Sequence, residues 1–194
     1  MFPDHVIGMS PDRNTRKERI FLTGFMGSGK STVGPILART LGYDFIDTDA
    51  AVERSTGKSI NDIFRDDGEQ EFRRKERRLV TDLCSRKNIV IACGGGTITD
   101  PVGYGLIQMA GITVYLKLSP DQLFARLRTK ENRPLLAASG GGRLNDESLH
   151  SRVWNLFLLR EPYYSRADIT VMAGEMEVGP IVDQIVRHLL HYFE

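Results

Sequence analysis

Short apolar runs alternate along the chain with stretches in which apolar residues recur every three to four positions. Ile20, Phe21 and Leu22 form the first run, and Val33, Ile36, Leu37 and Leu41 follow at helical spacing. Tyr43 to Asp47 reads as a second strand that ends in acid. A short amphipathic helix between Gly57 and Gly68 carries Ile60, Ile63 and Phe64, and a longer one runs from about Glu69 to Arg86. Ile89 to Ala92 and Ile112 to Leu118 are continuous apolar strands. Ser119 and Pro120, an N-cap and a first helical residue by type, open a helix with Leu123, Phe124 and Leu127 on its inner face. Asp168 to Val171 gives a last strand, and the closing helix shows Ile181, Val182, Ile185, Val186, Leu189 and Leu190 as a two-row apolar stripe.

Runs this short and continuous suit parallel strands covered on both faces. The alternation predicts an α/β fold, three layers with helices on both sides of a parallel sheet. In such sheets ligands gather outside the carboxyl ends of the strands. Three of those ends carry notable residues: Gly24 onward, Asp47 with Asp49, and Gly94 to Gly96.

The periodicity stops between Thr129 and Ser151, where Ala137 to Arg143 is rich in glycine. A structureless stretch of that length is usually a lid or a solvated loop. Arg128, Arg133, Arg143 and Arg152 in or beside it favour a lid closing over phosphates at about 129–151. Residues 1–18 mix Pro, Asp, Asn and basic residues and read as a flexible arm, leaving 19–194 as one domain.

Composition narrows the partners. Lys+Arg 26 against Asp+Glu 25 gives a formal charge of +1 over 194 residues, so neither a nucleic-acid nor a membrane surface is expected, and small molecules are. No apolar run reaches spanning length. Cys84 and Cys93 lack a C-x-x-C spacing and read as ordinary buried thiols of a cytoplasmic protein, expected to be a monomer. His5, His150, His188 and His191 form no metal-binding set and read as surface residues, while Trp154 is expected in the core or as a lid anchor.

Gly24 to Thr32, GFMGSGKST, matches G-x-x-x-x-G-K-[ST] in full, between a strand and a helix. Small residues at Gly24, Gly27, Ser28 and Gly29 let successive N–H groups curl around a phosphate at a helix N-terminus. Lys30 adds a point charge for the outer phosphates, and Ser31 is placed to ligate the Mg²⁺ that travels with them. Asp47 and Asp49 project to the same side if the strand geometry persists, one toward the metal and one toward a hydroxyl to be deprotonated. Equally, one of them caps the next helix, and Asp49 is well placed for that.

Glu76 falls on an apolar stripe with Phe72, Leu79, Val80 and Leu83, and a carboxylate there needs a partner. Arg73, three residues earlier, pairs with it at helical spacing and presents a guanidinium to the site. Arg160 likewise continues the stripe Val153, Leu156, Phe157. Two such arginines imply a carboxylic acid substrate; a structural salt bridge is the alternative for Arg160.

The ordered set GFMGSGKST, DTD (Asp47 to Asp49), GEQEFRRKE (Gly68 to Glu76), CGGG (Cys93 to Gly96), RPLL (Arg133 to Leu136) and REPYY (Arg160 to Tyr164) resembles one family, the shikimate kinases, from about Glu18 onward. The resemblance implies a five-stranded parallel sheet of the nucleoside monophosphate kinase type. It also implies phosphoryl transfer from ATP to shikimate, a step of chorismate synthesis. It implies that Gly27, Ser28, Gly29, Lys30, Ser31, Thr32 and Arg128 hold the nucleotide, that Ser31 and Asp47 serve Mg²⁺, and that Lys30, Asp49 and Arg133 are catalytic. Asp49, Arg73, Gly94, Gly95, Gly96 and Arg160 take the substrate by the same likeness. Two departures stand out, the arm before Glu18 and the Gly-rich extension after RPLL. A gluconate kinase-like enzyme and a non-catalytic shikimate-binding regulator are the rival readings. The arginine pair and glycine run argue against the first, and the intact Lys30, Asp47, Asp49 and Arg133 against the second.

Overall fold

The computed structural model describes residues 16, 18–129 and 144–193. β1 (Arg19–Thr23) is buried at every position, and its alternate side chains reach opposite layers. Ile20 and Leu22 pack with Val33 and Leu37 of α1 (Lys30–Leu41) and with Ile181 and Ile185 of α8 (Val178–Phe193). Phe21 turns the other way, joining Ile89 and Ile91 of β3 (Ile89–Ala92), Val80 and Leu83 of α4 (Gly68–Leu83) and Ile107 of α5 (Pro101–Ala110). Each fully buried side chain of this size contributes about 1.5–3 kcal/mol. That two-sided burial is why the strands read as unbroken apolar runs.

With β2 (Asp44–Asp47), β4 (Ile112–Lys117) and β5 (Ile169–Met172) the sheet has five strands in the order β2-β3-β1-β4-β5. All four pairings are parallel. The expected α/β architecture is therefore present. A smaller cluster of Val52, Ile63 and Phe72 joins α2 (Thr48–Thr56), α3 (Ile60–Asp66) and α4.

Several expected boundaries move. The long helix ends at Leu83 rather than Arg86, and β5 begins after Asp168. The periodic gap is also narrower than expected, because α7 (Asp146–Tyr164) starts inside it, capped by the Asn145 side chain accepting from Ser148 N at 2.8 Å. α5 had no counterpart in the periodicity: it carries no charged residue, and its signals are the Asp100 cap on Gly103 N at 3.0 Å and Pro101 at its start. Trp154 is not core; it is 39 % exposed and stacks on His150, which also meets Phe124 of α6 (Pro120–Leu127) edge-on and Asp121 at 3.0 Å. Arg16 and Glu18, at the end of the expected arm, are tied in. Arg16 donates to the Gly111 carbonyl and the Asp168 carboxylate at 2.9–3.1 Å, and the Glu18 carbonyl accepts from Ile89 N at 3.0 Å.

Candidate active site

The turn after β1 takes shapes that side chains oppose. Gly24 has φ +137, and a Cβ there would sit 2.8 Å from the Leu116 carbonyl oxygen. Gly29 is left-handed at φ 101 and caps α1 with no side-chain hydrogen bond; the Thr32 and Val33 N–H groups turn to its carbonyl, and the start of the helix faces the loop without a side-chain capping oxygen. Ser28 is buried, its N–H on the Phe25 carbonyl at 3.1 Å, and its hydroxyl has no hydrogen-bond partner among the described residues. Lys30 Nζ turns back to donate to the Gly24 and Phe25 carbonyls at 2.8 and 3.1 Å. An uncapped helix start, a glycine nest and an ammonium at its lip together suit a polyphosphate.

Ser31 Oγ donates to Asp47 Oδ2 at 2.6 Å, which brings a hydroxyl and a carboxylate oxygen together. Hard oxygens of this kind fit Mg²⁺, which keeps several waters and takes only one or two protein carboxylates. The extended geometry expected from Asp47 to Asp49 does not persist, because the strand ends at Asp47 and α2 starts at Thr48, yet both residues line one cavity. The cap is Asp47, not Asp49: its Oδ1 accepts from Ala50 N at 3.2 Å, while Asp49 lies in the first helical turn.

A cavity of about 790 Å³ opens between this turn and α2 to α4. Ser31, Asp47, Asp49, Arg73, Glu76, Gly94, Gly95, Gly96 and Arg160 all line it, with Met26, Phe64 and Phe72 among its apolar wall. Glu76 is buried at 2 % exposure; it accepts from Arg73 Nη1 at 2.8 Å and from the Thr97 hydroxyl in a short hydrogen bond. Glu69 holds the other edge of the guanidinium at 3.0–3.3 Å. The loop after β3 runs close under these groups: a Cβ on Gly94 would strike Glu76 and come within 2.7 Å of Asp49 Oδ1, and one on Gly96 would strike the Arg73 guanidinium. Thr48 ties the loop to α2, accepting from Gly94 N at 2.8 Å. Arg160 Nη1 donates to the Gly95 carbonyl at 3.3 Å, and Arg160 forms no salt bridge among the described residues.

Gly27, Gly29 and Thr32 belong to the turn and the first turn of α1, beside the cavity wall. Arg128 ends α6, exposed and outside the lining residues. Arg126, which sequence reasoning missed, reaches the turn: Nη1 donates to the Gly27 carbonyl at 3.4 Å, and Nη2 to those of Ala173 and Gly174 at 3.3 Å. Glu53, Asn61, Asp62 and Arg65 also line the cavity unanticipated, although Glu53 stands one turn beyond Asp49 on α2. Arg133, Arg143 and Gly140 to Gly142 lie outside the described residues. Burial pushes the Cys93 thiol well above its usual range, consistent with an inert thiol.

Comparison with known proteins agrees with this geometry. The family model described as Shikimate kinase matches residues 26–190. A shikimate kinase of Chlorobium chlorochromatii is 44 % identical over 89 % of this chain and 91 % of its own length. Among solved structures, the shikimate kinase of Acinetobacter baumannii in complex with shikimate superposes with a TM-score of 0.82 at 32 % identity, covering 93 % of this chain and 98 % of that one. The shikimate kinase of Bacteroides thetaiotaomicron gives 0.80 at 35 %, covering 90 % and 98 %. A phosphate-binding turn facing an arginine-lined cavity, and likeness of this extent, lead to one conclusion: the chain belongs to the shikimate kinase family.

Proposed function

We propose that this chain transfers the γ-phosphoryl group of ATP to the 3-hydroxyl of shikimate, giving 3-phosphoshikimate and ADP, as a cytoplasmic monomer. The observation that carries the reading is the convergence of Ser31, Asp47, Asp49, Arg73, Arg160 and the Gly94 to Gly96 backbone on one cavity. Every one of these groups comes from a single chain.

Arg73 and Arg160 receive the substrate carboxylate. Glu76 and Glu69 hold the Arg73 guanidinium at a fixed angle, which reduces what must be ordered on binding. Glycines at 94 to 96 leave room for a ring to lie against backbone. Asp49, beside Gly94, takes the proton of the attacking hydroxyl. Lys30 exchanges its loop carbonyls for phosphate oxygens, and the helix N-terminus supports the charge that develops there. Ser31 and Asp47 would hold Mg²⁺, which when bound neutralises phosphate charge. Arg126 stays on the Gly27 carbonyl and steadies the turn.

A coupled ADP-release assay with shikimate, gluconate, AMP and CMP as acceptors tests the proposal. Turnover is expected with shikimate alone; comparable turnover with gluconate, or none with shikimate, would overturn it.

A further inference from the structure

α7 meets the glycine loop twice. One turn after Arg160, the Tyr164 hydroxyl donates a short hydrogen bond to the same Gly95 carbonyl oxygen. Tyr164 is fully buried, its ring stacked on Tyr115 with centroids 5.3 Å apart and planes 26° from parallel. The two hydroxyls of this stack are used differently. That of Tyr115 is buried with no hydrogen-bond partner among the described residues, whereas that of Tyr164 donates to Gly95 and also meets the Arg160 guanidinium. Burial pushes the Tyr164 phenol up to about 12, so it is a donor throughout the neutral range.

From these contacts we infer that Tyr164 is a positioning residue for carboxylate recognition: it holds the Gly95 carbonyl so that Arg160 can leave it for the substrate. The inference rests on the assignment of Arg160 to the substrate carboxylate made above. A carbonyl oxygen has two lone pairs, and Gly95 O uses both. Arg160 gives up its 3.3 Å contact when its Nη1 turns to a carboxylate. A half-buried acceptor left with no protein donor opposes such a move, the more so once a bound substrate keeps water from the cavity. Because Tyr164 remains in place, the oxygen stays satisfied and the peptide planes of Gly94 to Gly96 keep their orientation toward the cavity. Arg160 then exchanges a long contact to a neutral carbonyl for an ion pair with a carboxylate, with no backbone rearrangement.

Tyr164→Phe removes the hydroxyl and keeps the stacked ring. The KM for shikimate is expected to rise about three- to tenfold, the range of one neutral hydrogen bond, with kcat and the KM for ATP unchanged. Tyr115→Phe deletes a hydroxyl from the same stack and is expected to change none of the three. In an Arg160→Ala background, Tyr164→Phe should add nothing further. An unchanged shikimate KM in Tyr164→Phe, or an equal rise with and without Arg160, overturns the positioning role. So does loss of the folded state in Tyr164→Phe while Tyr115→Phe stays folded, since the hydroxyl is then structural. If Arg160→Ala itself leaves the shikimate KM unmoved, the carboxylate assignment falls first and the positioning role with it.

Discussion

Asp47 and Asp49 stand two residues apart, and the start of α2 gives them different tasks. Asp47 is occupied twice, by the Ser31 hydroxyl and by the amide it caps. Asp49 lies in the first turn beside Gly94, facing the cavity. Asp49→Asn is therefore expected to lower kcat by about 10²–10⁴, the range for a positioned base, while steady-state kinetics show a near-normal KM for ATP; full activity would remove the base from Asp49. Arg160→Ala should raise the shikimate KM by about one to two powers of ten and spare that of ATP. A parallel rise in both would mean a disturbed fold. Cys93 is expected to resist alkylation at neutral pH in the native state and to react once denatured, because burial keeps it a thiol. Rapid native labelling at Cys93 would contradict this. Glu76 and Arg160 were legible because each interrupts an apolar stripe, and Arg73 because it stands three residues before Glu76. Arg126 was not: its partners are backbone carbonyls, which leave no mark on side-chain pattern.

At the level of elements, strands buried on both faces declared themselves as apolar runs, and every predicted strand is present. α5 escaped because the search relied on alternation of polar and apolar residues, which PVGYGLIQMA lacks; its cap and proline were the available cues. The start of α7 escaped because Asp146 to His150 holds one buried apolar residue, Leu149, too few to show a period. Distance between elements was likewise invisible. α1 approaches β2 so closely that a Cβ on Gly34 would strike the Phe45 ring, with Cδ2 at 2.9 Å. Gly34→Ala should cost about 1–3 kcal/mol by overpacking, seen as a lower urea midpoint with an unchanged slope. A midpoint equal to the parent's would show that the half-buried ring swings clear.

Across the whole molecule, binding groups lie at the carboxyl ends of the strands and a polar latch lies at the amino ends. The Asp168 carboxylate joins Arg16 to Thr113, accepting from Thr113 N at 2.8 Å and its hydroxyl at 2.7 Å. Asp168→Ala should cost about 1.5–3 kcal/mol and lower the melting temperature, with kcat at 25 °C unaffected; a large fall in kcat would show that the two ends are coupled. The sheet order has a consequence for how the chain is made. β1 ends between β3 and β4, so it has no partner until residues far downstream exist. At about 5–20 residues per second, roughly five to nineteen seconds separate the synthesis of Thr23 from that of Lys117. Until Ala92 exists, Arg19–Thr23 is an apolar strand with both edges open, and the edge that meets β4 stays open to the end of that interval, the kind of segment that pairs with neighbouring chains. The residues that later form the centre of the sheet are thus the ones most in need of shielding on the ribosome, and the yield of soluble protein should depend more on how fast translation reaches β4 than on the stability of the finished fold.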